Sequence, residues 1–265
     1  TILLCFLCEA MHAAVAEYSR QCAQRELELR PTRRNAKIFL LRHGESTANE
    51  ESTMVGGRAP TASLSAKGEQ QAVTLGRHLK FCGTKFDAVF SSSSERALKT
   101  AQIVCAEMGI DPATIVTSDQ LLEQCHGGWE GRLRKEVYTH EVNAALEEDI
   151  WRYRPAGTNE QGLTSESQLD VEQRFHKFVE DNILTRKEGE GPESKTYAIF
   201  GHGLASKFFL RGVMQFDPLM SRKIRLDNTA ITEVSYDVSP GNRGGWNLFR
   251  INDQTHIKVA GAAAK

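Results

Sequence analysis

Hydrophobic and polar positions change period along the chain, and each change marks an element. Ala36-Lys-Ile-Phe-Leu-Leu41 is a short apolar run stopped by Arg42-His43-Gly44, which predicts a buried strand. Ser65-Ala-Lys-Gly-Glu69 opens a helical pattern to about Phe81, with Ser65 placed to cap it. Residues 86–90 form a second short strand, followed by a serine run and a helix over 95–108 with Ala97, Thr100, Ala101 and Val104 on one face. Residues 113–117 suggest a third strand. The stretch 131–151 reads as mostly helical, 154–166 as a loop rich in Gly, Pro, Ser and Thr, and 167–184 as a helix. After a solvated stretch over 187–194 comes a strand over 195–200, broken by Gly201-His202-Gly203, and then a helix over 204–214. Residues 230–236 and 246–251 read as two strands joined around Pro240-Gly241.

Strands alternating with helices predict an α/β fold: three layers, a mostly parallel central sheet flanked by helices, with the last two strands as an antiparallel edge. Ligands in such folds bind beyond the carboxyl ends of the strands. The basic stretch Arg30-Pro-Thr-Arg-Arg34 separates an N-terminal helical extension, 1–34, from a main domain, 35–255, and residues 256–265 read as a tail. A helix over 3–30 is expected in the extension. The apolar run Thr1–Cys8 is far too short to span a bilayer. Ala14-Val15-Ala16 resembles a signal-cleavage triplet, but no basic segment precedes it. The expectation is a cytoplasmic protein, with a truncated targeting segment left open.

Composition removes function classes rather than adding one. A chain of 265 residues that is 40% hydrophobic and 25% charged is neither collagenous nor low-complexity. Lys plus Arg is 33 and Asp plus Glu is 34, so no positive excess supports broad nucleic-acid binding. The 6 cysteines are scattered, and Cys5-x-x-Cys8 has no second pair at zinc-ligand spacing.

The candidate chemistry sits where the predicted strands end. Arg42-His43-Gly44-Glu45-Ser46 follows the first strand and Gly201-His202-Gly203 a later one, so both histidines border one expected pocket. Ser92-Ser93-Ser94-Glu95-Arg96 puts small residues and an arginine at a helix start, which suits an anion. Singly, each piece has a plain reading: a structural histidine, a surface ion pair, a cap. Gly201-His-Gly203-Leu-Ala-Ser206 also offers a dinucleotide fingerprint, but Ser206 stands at its third glycine and the acidic partner is missing.

Together the pieces are specific. Leu40–Ser46, then Ser93–Ala101, then Leu122-Glu123 with Gly128-Trp129-Glu130-Gly131, then Gly201-His202-Gly203 follow the order of motifs in the histidine phosphatase superfamily. The chain resembles its phosphoglycerate-mutase-like branch over roughly residues 36–252. Asn49, Ser65 with Gly68-Glu69, Glu166-Ser167 with Arg174, and Asn228–Thr232 agree with it. The resemblance does not reach residues 1–34.

That resemblance implies a phosphohistidine mechanism. His43 would be the nucleophile, His202 would donate a hydrogen bond to the phosphate, Arg42 and Arg96 would clamp its oxygens, and Asn49 would add a neutral contact. Glu123 would protonate the leaving oxygen and then activate water. No metal is expected. The stretch from Glu123 to Gly131 is closer to the phosphatase members than to the NERHYGxLxG form usual in the mutases, so a phosphomonoester hydrolase acting on a small phosphorylated metabolite is the expected function. The alternatives are a phosphoglycerate mutase, with 2,3-bisphosphoglycerate as its cofactor, and a catalytically weak member that binds a phospho-ligand or a protein. Arg58, Arg132, Arg134 and Gly203 are further candidates for substrate contact, although for the arginines after the acid motif a solvated helix face is the plainer reading. No nucleic acid and no membrane span is expected, and a dimer is left open.

Overall fold

Six strands form one sheet in the computed structural model: β1 (Ala36–Arg42), β2 (Ala88–Ser92), β3 (Val116–Ser118), β4 (Lys195–Gly201), β5 (Ile231–Asp237) and β6 (Gly245–Asp253). The structure describes residues 13–22, 24, 25, 28, 32–50, 53–58, 62–186, 190, 193–239 and 245–263. The strand order is β3-β2-β4-β1-β5-β6. β1 through β4 pair in parallel, while β5 and β6 form the expected antiparallel edge.

The central strands read as unbroken apolar runs because both of their faces are covered. Along β1, Ile38 and Leu40 join one core with Phe175, Phe178, Phe208 and Phe209, while Phe39 and Leu41 join another with Ala72, Leu75, Leu79 and Val104. Helices α1 (Ala66–Phe81) and α2 (Glu95–Met108) supply the second core. Helices α4 (Gln168–Val179) and α5 (Gly203–Met214) supply the first, and α3 (His140–Asp149) stands outside both. Ser65 caps α1 as expected, its hydroxyl accepting from the Gly68 N–H at 3.1 Å.

Several expectations shift. The helical stretch over 131–151 breaks at Tyr138, because Thr139 caps a new helix by accepting from the Val142 N–H. The third strand starts later than expected, since Pro112 lacks a ladder donor and Asp111 caps a tight turn over Pro112–Thr114. The helix over 167–184 ends at Val179 and continues as a π turn, Glu180–Leu184.

The expected tail is instead a helix, α6 (Thr255–Ala263), anchored by buried His256. The basic connector is also not a solvated one. Arg33 and Arg34 are buried, Arg33 pairing with Glu180 and Tyr236, and Arg34 with Glu190. In the extension, residues 13–22 are helical, and the Tyr18 ring meets Trp151 edge-on at 5.1 Å. The Cys5/Cys8 pair, the apolar run over 1–8, most of the expected 187–194 loop and the Pro240-Gly241 turn lie outside the described residues. Among the described residues no helix is long and apolar enough to cross a membrane.

Candidate active site

Register builds the centre of the site. Arg42 of β1 pairs with Gly201 of β4, so the next residue on each strand, His43 and His202, leaves the sheet side by side. The His43 N–H donates to the Gly201 carbonyl at 3.0 Å, and the two rings lie 5.3 Å apart, edge to face. The turn after β1 is tied down from three sides. The Thr229 N–H donates to the carbonyls of Arg42 and His43, Asn228 Nδ2 donates to the His43 carbonyl, and the Gly44 N–H donates to Thr100 Oγ1.

The His43 ring is held in one useful tautomer. Its Nδ1 lies 2.7 Å from the Gly44 carbonyl, which can only accept, so Nδ1 carries the proton and Nε2 keeps a lone pair. Burial, then Arg42, then Arg96 hold its pKa well below the ordinary value, so the ring is neutral. His202 is also pushed well down, by burial and then by Arg96. Its Nε2 sits 2.9 Å from Ser92 Oγ and 3.2 Å from Ser94 Oγ, while its buried Nδ1 has no partner among the described residues.

The two arginines are anchored on backbone carbonyls. Arg42 Nη1 donates to the Leu226 carbonyl at 2.6 Å, and Arg96 donates to the carbonyls of Arg58 and Gly57, each at 3.1 Å. Asn49 receives three hydrogen bonds on Oδ1, from the Ser46 N–H, the Ser46 hydroxyl and Asn228 Nδ2. Its Nδ2 donor is thereby left for a ligand. Gly203 begins α5 against the Arg42 guanidinium.

Glu123 lies across from these groups at the N-terminus of α5. Its carboxylate accepts from the Leu204 N–H at 3.1 Å and the Ala205 N–H at 2.9 Å. Behind it, Arg174 donates to the Gln120 and Glu123 carbonyls and grips Glu166, which in turn accepts from the Cys125 N–H. Glu130 ties the loops together by accepting from the N–H groups of Arg58 and His126 and from Asn159 Nδ2.

A cavity of about 380 Å³ opens between these groups, large enough for a small metabolite. Arg42, His43, Asn49, Arg96, Glu123, Arg134 and Gly203 line it, and His202 adjoins it through its contact with His43. Arg58 and Arg132 do not. Arg58 turns to Glu166 at 3.3 Å, and Arg132 is exposed away from the wall. Lys207, His126 and Tyr138 also line the cavity and were not anticipated. For Lys207 a signal existed: it lies one helical turn beyond Gly203 and shares its face.

The sequence model of the histidine phosphatase superfamily, branch 1, matches residues 38–254. The chain belongs to this superfamily. Members of the superfamily among the relatives are phosphatases and phosphoglycerate mutases, enzymes of phosphoryl transfer. Among curated relatives, the probable phosphoglycerate mutase GpmB of Salmonella paratyphi A is 26% identical, covering 83% of this chain and 94% of its own. Among solved structures, a phosphoserine phosphatase mutant from Entamoeba histolytica in complex with phosphoserine is 25% identical, with a TM-score of 0.61, covering 84% of this chain and 99% of that one. A mycobacterial glucosyl-3-phosphoglycerate phosphatase shares the fold at 20% identity, with a TM-score of 0.65 and coverage of 83% and 100%. The superfamily match stops short of the N-terminal helix and of α6.

Proposed function

We propose that the chain is a phosphomonoester hydrolase that works through a phosphohistidine on His43. The observation that carries this reading is the free Nε2 lone pair of a buried, neutral His43 facing a cavity lined by Arg42 and Arg96. In the first step Nε2 attacks phosphorus and the bond to the leaving oxygen breaks. The leaving oxygen takes its proton from Glu123. In the second step water attacks the phosphohistidine, its proton passes to Glu123, and the His43 ring leaves as the neutral base. Arg42 and Arg96 carry the charge of the transferring group, and the Nδ1 proton of His202 and the Asn49 amide add hydrogen bonds. These positive groups do the work that a metal does elsewhere, so the reaction runs without one.

Support for hydrolysis over transfer comes from the Gly128-Trp129-Glu130-Gly131 ending and from the phosphoserine phosphatase likeness. The mutase name of the curated relatives favours the second reading, a phosphoglycerate mutase. One experiment tests the main reading. Para-nitrophenyl phosphate is supplied with a chelator present, and the protein is quenched in alkali, where phosphohistidine survives. Wild type should release para-nitrophenol and retain phosphate on the chain, and His43→Ala should do neither. Turnover by His43→Ala at the wild-type rate would overturn the assignment. Phosphate passing between 2- and 3-phosphoglycerate faster than to water would favour the mutase.

A further inference from the structure

We infer that the hydroxyls of Ser92 and Ser94 are positioning groups for His202: they keep its Nε2 unprotonated, so that the single ring proton sits on Nδ1. The inference rests on the phosphatase reading above for one point, that a phosphoryl group is what this Nδ1–H meets.

The sheet supplies the placement. β4 lies between β1 and β2. Ser91 of β2 pairs with Phe200 of β4, so Ser92 ends its strand beside Gly201. His202 therefore leaves β4 with His43 on one flank and Ser92 on the other. Ser92 is fully buried, and its Oγ lies 2.9 Å from His202 Nε2.

Hydrogen accounting then decides between the two tautomers. Ser92 Oγ already accepts the Ser94 N–H at 3.3 Å, and among the described residues His202 Nε2 is the one acceptor within reach of its hydrogen. Burial, and then Arg96, keep the ring neutral, so it has one N–H to place. With the proton on Nδ1, the Ser92 hydroxyl donates to Nε2 and is satisfied as donor and acceptor. With the proton on Nε2, the buried Ser92 hydrogen is stranded, which disfavours that tautomer by roughly tenfold or more. The Nδ1 lone pair would then also face the phosphoryl oxygens and repel them.

Ser94 adds an independent sign. It stands at the N-cap of α2 with the extended backbone of a cap, yet its side chain accepts no helix N–H. Ser65, at the same position of α1, does accept one. The Ser94 hydroxyl lies instead 3.2 Å from His202 Nε2. A residue suited to capping a helix is turned toward the histidine. The buried Nδ1, with no partner among the described residues, then offers a neutral donor beside Arg42 and Arg96 without adding a third charge to be desolvated.

Nitrogen-15 NMR on the full chain, labelled at histidine, reads the tautomer without ligand or turnover. In wild type, His202 Nδ1 should show the shift of a protonated nitrogen and Nε2 that of an unprotonated one, the pair being identified by its absence from His202→Asn. Ser92→Ala/Ser94→Ala removes the bias, so a share of the proton should move to Nε2. Its kcat/KM with para-nitrophenyl phosphate should fall about 10–100-fold, the size of one hydrogen bond to a charged group. Melting temperature would confirm that it is folded, and Ser92→Cys, a much weaker donor of similar size, replaces it if it is not. Ser94→Ala alone should leave the melting temperature unchanged, because no cap is lost. A proton on Nε2 in wild type, or wild-type tautomer and kcat/KM in the folded double variant, would overturn the inference. The expected tautomer in a protein that neither hydrolyses phosphomonoesters nor binds vanadate would instead remove the phosphatase reading and leave the role of the serines standing.

Discussion

At the scale of single residues, Glu123 has two roles that compete for the same atoms. It accepts the Leu204 and Ala205 N–H groups, as a helix cap would, and it is the only acid among the described residues lining the cavity. A cap alone predicts that its loss costs stability and slows every substrate equally. A proton donor predicts a dependence on the leaving group, because para-nitrophenolate needs that proton far less than an alkoxide does. Glu123→Gln keeps one acceptor oxygen for the helix and loses the acid. It should cost ~10²–10⁴-fold with an alkyl phosphate and much less with para-nitrophenyl phosphate. Equal losses for both substrates, with an unchanged melting temperature, would take Glu123 out of the chemistry. A similar divided role explains why Arg58 was misplaced. In sequence it follows a glycine pair and looks free to reach substrate, but its partner Glu166 is far along the chain.

At the scale of elements, the nucleophile turn depends on how closely α1 approaches it. A Cβ on Gly68 would lie 1.9 Å from the Glu45 carbonyl oxygen, and one on Gly44 would lie 2.4 Å from the Gly68 carbonyl oxygen. Two backbones touch there, and no flexible side chain can yield. Gly68→Ala should therefore destabilise the protein by about 1–3 kcal/mol and slow turnover as the turn bearing His43 is pushed. Urea unfolding beside kcat checks this, and an unchanged midpoint would refute the close approach. Elements of this kind were legible in sequence where local pattern and cap agree, as in β1, α1 and the Gly201-His202-Gly203 break. Elements held by distant partners were not. Arg33 and Arg34 look like solvated charge because Glu180 and Glu190 lie 147 and 156 positions away. α6 looks like a tail because its end, Ala260-Gly261-Ala262-Ala263, carries no apolar stripe, and among its described side chains the buried one is His256. Within the site, the residues leaving strand ends were readable from position. Lys207 was readable only through Gly203 one helical turn before it, because its aim depends on where α5 begins.

At the scale of the whole molecule, buried neutral histidines couple stability to pH. His256 lies under the active-site turn, its Nε2 3.0 Å from the Thr229 hydroxyl, and that hydroxyl donates to the Asn228 carbonyl. It therefore accepts the proton of neutral His256. Burial and His78 hold His256 at about 4, and burial with Arg211 and Arg33 holds His176 at about 4. His43 and His202 are held lower than the ordinary value by the causes already given. An unfolded histidine titrates near 6.5. Between pH 6.5 and 4 the unfolded chain thus binds more protons than the folded one, so the stability these groups allow is present above pH 6.5 and lost as pH falls toward 4. Glu172 opposes this. Burial raises its carboxyl to about 7 against the pull of Arg211, so between the ordinary carboxyl value and 7 it favours the folded state as pH falls. Over pH 7 to 5 this carboxyl offsets about one histidine, and the remaining histidines leave a net loss on the order of a few kcal/mol. The urea midpoint should therefore drop steadily from pH 7 to pH 5, in a buffer free of phosphate and sulfate, because a bound anion would stabilise the site by linkage. His256→Gln, whose amide can still donate to Thr229, should lose less over the same range than wild type. A midpoint that stays flat or rises from pH 7 to pH 5 would mean that these histidines are not held neutral in the folded protein.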